Sequence, residues 1–478
     1  MTTTPPVWQS DYHIILLHPT EPRILLLRDH NSWLLPSFHK EEAAHISDAH
    51  LVTETMQRQL GLDWIVLYCA YRRVDRENAR QELIYVLDMR NPSWIPPEGS
   101  QWVGHETLAQ LELVLPEQRT VIATCLHESE EIPPLRPPWA RRGWFALAES
   151  WIQEQLTRLN YTIVAPIEQV KVWSVSCVLR VPTTHGNVYF KASLNGFMQT
   201  HTPMSSSDKQ GILPLLFAHE PMLIQSLSAR YPRHVPTLLA MDRERCWMLL
   251  AEFGTRLDDH ADKTAQENAL EVYSHMQVAA TQHTDSLFAE GFLDRRLHIL
   301  ETQIDPLLND EDALADLNRR EVEQLRACGP QLKTMCHQVA NSTIPQTLVH
   351  GDLHTGNIAV QNDNYVFFDW TDGCVAHPFF DVLTFMEHVD DPVEQRRLRD
   401  IYLAQWTDFA SIEYLREVFS LSQMLATIHQ AVSYQHMVAN MEGTSKQAMR
   451  DGATYWLRIL LQLFGGDDLV GYCTSFES

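Results

Sequence analysis

Asp352, Asn357 and Asp369 are the residues whose types and spacing most directly suggest chemistry. They stand in Leu348-Val-His-Gly-Asp-Leu-His-Thr-Gly-Asn357 and Tyr365-Val-Phe-Phe-Asp-Trp370. Asp352 and Asn357 are five positions apart, so one tight loop can present both, while the apolar run ending at Phe368 would deliver Asp369 from a neighbouring segment. Phosphoryl transfer from a nucleotide needs a carboxylate to orient an attacking hydroxyl and accept its proton. It also needs oxygen ligands to hold Mg²⁺ against the phosphates. These three side chains meet those needs.

The elements that would carry them follow from periodicity. From residue 266 onward the pattern is mostly helical, with long periodic stretches at 272–283, 294–308, 321–339 and 414–463. Ahead of these, 144–159 and 218–229 read as helices, and 168–181 and 187–194 as strands joined by the turn Thr183-Thr-His-Gly186. Nearer the start, strands are expected at 13–17, 24–27, 65–71 and 83–87. Ala49, Val52, Met56 and Leu60 recur at three and four residues, which predicts a helix that Gly61 ends. The stretch 128–139 holds four prolines and three acids, too stiff and polar for the interior of an element, and reads as a linker.

A chain of 478 residues is long enough for several domains, and 45% hydrophobic with 21% charged residues is an ordinary folded composition. Thirty-seven basic against 61 acidic side chains give a net charge of −24, which repels nucleic acid and anionic membranes. Neither is expected as a partner. The eight cysteines include no CxxC pair, which argues against a disulfide framework or a zinc site and for reduced thiols. No leader or membrane-spanning stretch is evident in the residues, so a cytoplasmic protein is expected.

The segment around Asp352 resembles the kinase-like phosphotransferases grouped with aminoglycoside phosphotransferases and choline kinases, whose signature is His-Gly-Asp-x-His-x-x-Asn followed by hydrophobic-Asp-Trp or Asp-Phe. Every specified position is matched here. The resemblance implies that Asp352 is the catalytic base and that Asn357 and Asp369 hold Mg²⁺, with ATP as phosphate donor. It implies supporting roles for His350, His354 and Asp381, the last accepting hydrogen bonds from the catalytic loop.

By the same resemblance, strand residue Lys191 would meet the α- and β-phosphates, held in place by helix residue Glu220. The turn Val172-Trp-Ser-Val-Ser-Cys177 lacks the glycines of protein kinases but resembles the serine-bearing turn of the aminoglycoside group, which makes Ser174 and Ser176 phosphate contacts. Glu252 and Phe253 would lie at the hinge that binds adenine. The 24 residues from 194 to 217 are long for a plain connection and read as a flap. Asp372, Glu387, His388 and Asp390 are candidates for an acceptor pocket that would favour a cationic small molecule.

Residues 10–125 partly resemble the Nudix fold, on Trp33-Leu-Leu-Pro-Ser-Phe38 and a helix ending Gln59-Leu-Gly-Leu62. Aligned on Gly61, the family's metal-binding acids become Glu54-Thr55 and Arg58-Gln59, so a non-hydrolytic domain is expected.

The reading is an α+β chain: a Nudix-like domain over 1–127, a linker over 128–142, a small β-rich kinase-like lobe over 143–256 and a helical lobe with the catalytic loop over 257–478. Its function would be ATP- and Mg²⁺-dependent transfer of the γ-phosphate to a small-molecule hydroxyl. A nucleotide-binding regulatory protein and a Nudix-type hydrolase are the alternatives. The acceptor, the choice of ATP or GTP and the oligomeric state are open.

Overall fold

The structure, a computed structural model, describes residues 7–465 apart from 48, 62, 91–93, 195–212, 260–262, 388 and 390. Most of the expected flap therefore lies outside the described residues, as do Leu62, His388, Asp390 and Cys473. The chain is mixed α+β and divides into two compact units. One comprises Met1–Ala192 and Met441–Ser445, the other Ser193–Asn440 and Lys446–Glu477.

In the first unit, strand Gln9–Leu16 pairs antiparallel with Ser37–Lys40 and parallel with Arg80–Met89, which pairs antiparallel with Trp64–Asp75. A second sheet places Ile24–Asp29 between Ser32–Leu34 and Ser100–Val103. Ile15, Leu26, Leu67, Val86 and Leu126 share one buried cluster, so strands and the helix Gln118–Glu130 close over a common core. This explains the continuous apolar run Ile14-Ile-Leu16, since a strand covered on both faces has no reason to alternate. Helix Ala49–Leu60 buries Ala49, Val52 and Met56, and Gly61 follows it at φ +64°, where a side chain is disfavoured.

The same unit carries the antiparallel hairpin Glu168–Val172 and Ser176–Thr183. The apolar pattern reads 168–181 as one strand, but Trp173 N–H donates to Ser176 O at 3.1 Å and reverses the chain within 172–177, the segment that the family resemblance gives as a turn. The Gln169 carboxamide replaces a missing ladder partner for Val66, accepting from its N–H at 2.7 Å and donating to its C=O at 3.0 Å. The proline-rich stretch begins in the last turn of helix Gln118–Glu130 and includes the short 3₁₀ turn Pro138–Ala140.

The second unit begins its described part with helix Glu220–Arg230 and the hairpin Leu238–Asp242 with Trp247–Ala251. It continues mainly as helices, among them Lys263–Ala280, Leu297–Leu308, Arg319–Ala340 and Ile412–Ala439. The periodic stretch 414–463 is two helices rather than one, broken before Gly443, which has φ +54°. No helix among the described residues is long and apolar enough to cross a membrane.

Candidate active site

Two small sheets in the second unit gather the sequence-predicted residues. Thr347–Val349 pairs antiparallel with Cys374–Ala376, with Val349 opposite Cys374. The chain leaving at His350 and the chain arriving through Gly373 are therefore neighbours. Ile358–Gln361 pairs with Asn364–Phe367, with Ile358 opposite Phe367, and Phe368 N–H donates to Asn357 O at 3.0 Å. The loop holding Asp352 and Asn357 is thus clasped at both ends to the segment holding Asp369.

The close approach depends on Gly351. It has φ +87°, and a Cβ there would lie 2.5 Å from the Asp372 carbonyl oxygen and 2.7 Å from the Asp372 Cβ. Asp369 is itself left-handed, at φ +64° and ψ +57°, a conformation that an aspartate tolerates better than most side chains. Asn357 is buried and donates through Nδ2 to the Asp352 carbonyl at 2.9 Å and to Asp352 Oδ2 at 3.2 Å. With the amide nitrogen so engaged, its Oδ1 is the group left to meet a cation.

Asp352 is exposed, and among the described residues no hydrogen-bond donor meets its Oδ1. Partial withdrawal from water raises its pKa, as does Asp369. The close approach and charge of His354, helped by His350, outweigh both and hold the carboxyl below its ordinary value. His354 Nε2 lies 3.7 Å from Asp352 Oδ2. Burial lowers the His354 pKa, but Asp352 pulls it above the usual value. The Gly356 N–H donated to His354 Nδ1 at 3.1 Å opposes that pull, because it requires an unprotonated nitrogen.

His350 is fully buried and braces the loop as a neutral ring. Its Nε2–H donates to the Phe368 carbonyl at 2.9 Å, while Nδ1 faces the Asp352 N–H at 3.4 Å. Burial takes its pKa down to about 4. Asp381 is buried and accepts from the N–H groups of His350 and Gly351 at 2.9 and 2.8 Å and from the Tyr273 hydroxyl. Burial raises its pKa to about 6 although those donors favour the charged form.

Glu220, in the first turn of its helix and 1% exposed, accepts from Ser193 Oγ at 2.9 Å and from Trp370 N–H at 3.1 Å. The Thr371 hydroxyl lies 3.1 Å from Glu220 and 3.0 Å from Asp369 Oδ1, and its one proton can serve only one of them at a time. Glu220 is thereby connected to the turn bearing Asp369. Glu252 follows strand Trp247–Ala251 and its carbonyl accepts from Gln361 Nε2 at 2.9 Å, while the Phe253 ring sits 4.9 Å from that of Phe368.

Lys191, Ser174 and Ser176 belong to the first unit. Lys191 lies on strand Gly186–Ser193 and is 7% exposed. Ser174 Oγ meets Ser445 Oγ, and Ser176 Oγ accepts from Trp173 Nε1 at 3.1 Å.

Of the acceptor-pocket candidates, Glu387 has the most informative surroundings. Burial pushes its pKa up to about 7, assisted by the charge of Asp352, and Tyr455 donates a hydrogen bond to it. Tyr434 is raised by burial and by the charges of Asp352, Glu387 and Asp372, which places its phenol within their field.

Sequence reasoning did not single out Tyr273, Gln277, Gln430, Tyr434 or Tyr455. Gln277 Nε2 donates to Leu348 O at 2.9 Å, and Gln430 Nε2 donates to Gly351 O at 2.7 Å. Both are polar residues within buried helical stripes, the one signal that could have flagged them.

Residues 214–417 match the family model described as "Phosphotransferase enzyme family". No curated protein matches the chain. Solved structures similar to it include a macrolide 2'-phosphotransferase type I, 12% identical with a TM-score of 0.43, covering 64% of this chain and 96% of that one. A choline kinase from Streptococcus pneumoniae is 12% identical with a TM-score of 0.43, covering 66% and 99%. A spectinomycin phosphotransferase solved with ADP and spectinomycin is 9% identical with a TM-score of 0.42, covering 66% and 98%.

Proposed function

We propose that the chain is an ATP- and Mg²⁺-dependent phosphotransferase with a kinase-like fold over 143–478, acting on a hydroxyl of a small molecule. The observation that carries this reading is the gathering of Asp352, Asn357 and Asp369 by two short sheets, inside the segment that matches the phosphotransferase family model. Asp352 Oδ1 is the oxygen without a donor among the described residues, so it would take the hydrogen bond of the acceptor hydroxyl, aim its lone pair and receive its proton. A carboxylate held below its ordinary pKa is ionised and ready for this at neutral pH.

Asn357 Oδ1 and the Asp369 carboxylate are hard oxygen donors of the kind Mg²⁺ prefers, and they fit that ion. When bound, Mg²⁺ would neutralise charge on the phosphate oxygens. Lys191, Ser174 and Ser176 are proposed to contact the nucleotide phosphates, Glu220 to support that end of the site, and Glu252 and Phe253 to meet adenine. Glu387 with Tyr434 and Tyr455 is proposed to receive the acceptor, and a carboxylate beside two phenols suits an amine-bearing one. Nudix-type hydrolysis is not favoured, since Thr55 is buried on its helix and Glu54 is 3.8 Å from Arg58.

The test is transfer of labelled γ-phosphate from Mg·ATP into a pool of amines, aminoglycosides, sugars and extract metabolites. Asp352→Asn should retain ATP binding and lower turnover by about 10²–10⁴-fold, the range of a general base. An unchanged rate would remove Asp352 from its assigned role.

A further inference from the structure

The first unit contains a cavity of about 280 Å³ that the phosphotransfer reading does not use. Its walls come from strand Trp64–Asp75, helix Gln118–Glu130, the proline-rich stretch, the hairpin turn and residues 442–445. Of the residues assigned above, only Ser174 reaches it. Most of the lining is apolar, but one group does not fit an inert void. Arg136 is 8% exposed, its guanidinium carbon 3.8 Å from the centre of the Tyr68 ring. Nη2 donates to Glu128 Oε2 at 2.8 Å and Nε to Glu442. The Tyr68 hydroxyl makes a further hydrogen bond with the guanidinium, so among the described residues three of its five N–H donors have protein partners and the rest are left on a buried residue lining the cavity.

The charges narrow what could fill that space. One guanidinium faces two carboxylates, so the site carries a net negative charge and disfavours a phosphate or another anion. The carboxylates retain lone pairs for donors, while the remaining N–H groups of the guanidinium suit an acceptor. Cys69 and Cys125 are pushed up to about 12 by burial, so the sulfurs in the wall are neutral thiols rather than thiolates that would ligate a metal. A cavity of about 150 Å³ accepts benzene, so this one has room for a fused two-ring molecule.

We propose that this cavity is a binding site for an uncharged, flat, two-ring heteroaromatic molecule. The ligand would present a carbonyl acceptor to Arg136 next to N–H and amino donors for Glu128 and Glu442. The hydrogen-bonding edge of a guanine-like base has this pattern without needing a phosphate. The inference uses residues of the first unit alone and shares only Ser174 with the phosphotransferase reading.

The test uses the full chain and isothermal titration calorimetry with 2-aminoquinazolin-4(3H)-one, which has that edge. Naphthalene-2-carboxylate serves as the anionic comparator of similar size. Titrations are repeated with saturating Mg²⁺ and a non-hydrolysable ATP analogue to occupy any nucleotide site. The expected result is one equivalent bound with or without the analogue, at least tenfold tighter than the naphthalene acid. Val121→Phe, which fills the cavity, and Thr124→Trp, which obstructs its exposed rim, should each weaken binding at least tenfold while retaining the thermal unfolding midpoint. If Val121→Phe fails to fold, the rim variant carries the test. No binding at millimolar probe, loss of binding on adding the analogue, equal binding of the naphthalene acid, or full affinity in a folded cavity variant would each overturn the proposal.

Discussion

Gly351→Ala probes how closely the loop carrying Asp352 must approach the turn carrying Asp369. Two separate costs can be worked from the geometry. An alanine at φ +87° is strained by about 1–2 kcal/mol relative to glycine. Its Cβ would also stand 2.5 Å from the Asp372 oxygen and 2.7 Å from the Asp372 Cβ, whereas carbon–carbon contacts are optimal at about 3.5–4.0 Å. Relief requires the two segments to separate by roughly 1 Å, an overpacking cost of about 1–3 kcal/mol. The total expected loss of stability is about 2–5 kcal/mol.

The displaced partner is Asp372, three residues beyond Asp369, while Asp352 follows Gly351 directly, so the substitution pushes apart the two proposed catalytic carboxylates. A misplacement of about 1 Å can reduce turnover by about 10²-fold. Gly99→Ala supplies the control: Gly99 has φ +81°, but nothing lies within 4 Å of the position its new methyl would take, so it should show strain without a clash. Chemical denaturation and labelled-phosphate transfer would be measured on both variants. The reasoning fails if Gly351→Ala matches Gly99→Ala in stability and retains wild-type transfer.

Four further outcomes follow from polar groups withdrawn from water. Glu387 has a folded pKa raised to about 7, so wild-type stability should fall as pH rises from the ordinary glutamate range through 7, and Glu387→Gln should not show that loss in denaturation series. An amine acceptor should show a lower KM as pH rises through 7 and Glu387 ionises, with the trend flattened in the same variant. His350 behaves with the opposite sign: its folded pKa of about 4 makes stability complete above about 6.5 and progressively lost as pH falls toward 4. The span corresponds to about 3 kcal/mol, which His350→Asn should diminish in the same measurement. Tyr273→Phe removes a hydroxyl donor from Asp381 and should cost about 1–3 kcal/mol in denaturation, with a loss of turnover larger than any change in KM.

What the sequence disclosed depended on how far apart the cooperating residues lie along it. Asp352, Asn357 and Asp369 fall within eighteen positions, close enough for loop spacing to place them, and Glu220 was accessible through a resemblance in order. The groups that hold the loop come from remote helices. Gln277 and Gln430 look like ordinary polar interruptions until the fold brings their amides to Leu348 and Gly351. Arg136 lies in a stretch whose prolines and acids suggest a solvated spacer, but its partner Glu442 is 306 positions away. Charge pairing across that distance leaves no periodic signature. The reversal at Trp173 leaves no mark in the apolar pattern of 168–181, because both arms of the hairpin share a β-rich composition, and it was legible only through the resemblance of 172–177 to a serine-bearing turn.

The site also shows why one buried acid can govern an exposed one. Asp381 contacts the loop through the His350 and Gly351 N–H groups, immediately before Asp352, and its charge costs free energy in a buried environment. Those donors, with Tyr273, offset that cost by fixing the peptide plane from which Asp352 emerges. Asn357 then fixes the Asp352 carbonyl and one carboxylate oxygen, so the other oxygen has its direction set without being occupied. Such an arrangement transmits position rather than charge. Losing the Asp381 carboxylate should therefore affect turnover through the geometry of Asp352 more than through its pKa, and a pH–rate profile shifted in height but not in midpoint is the expected signature.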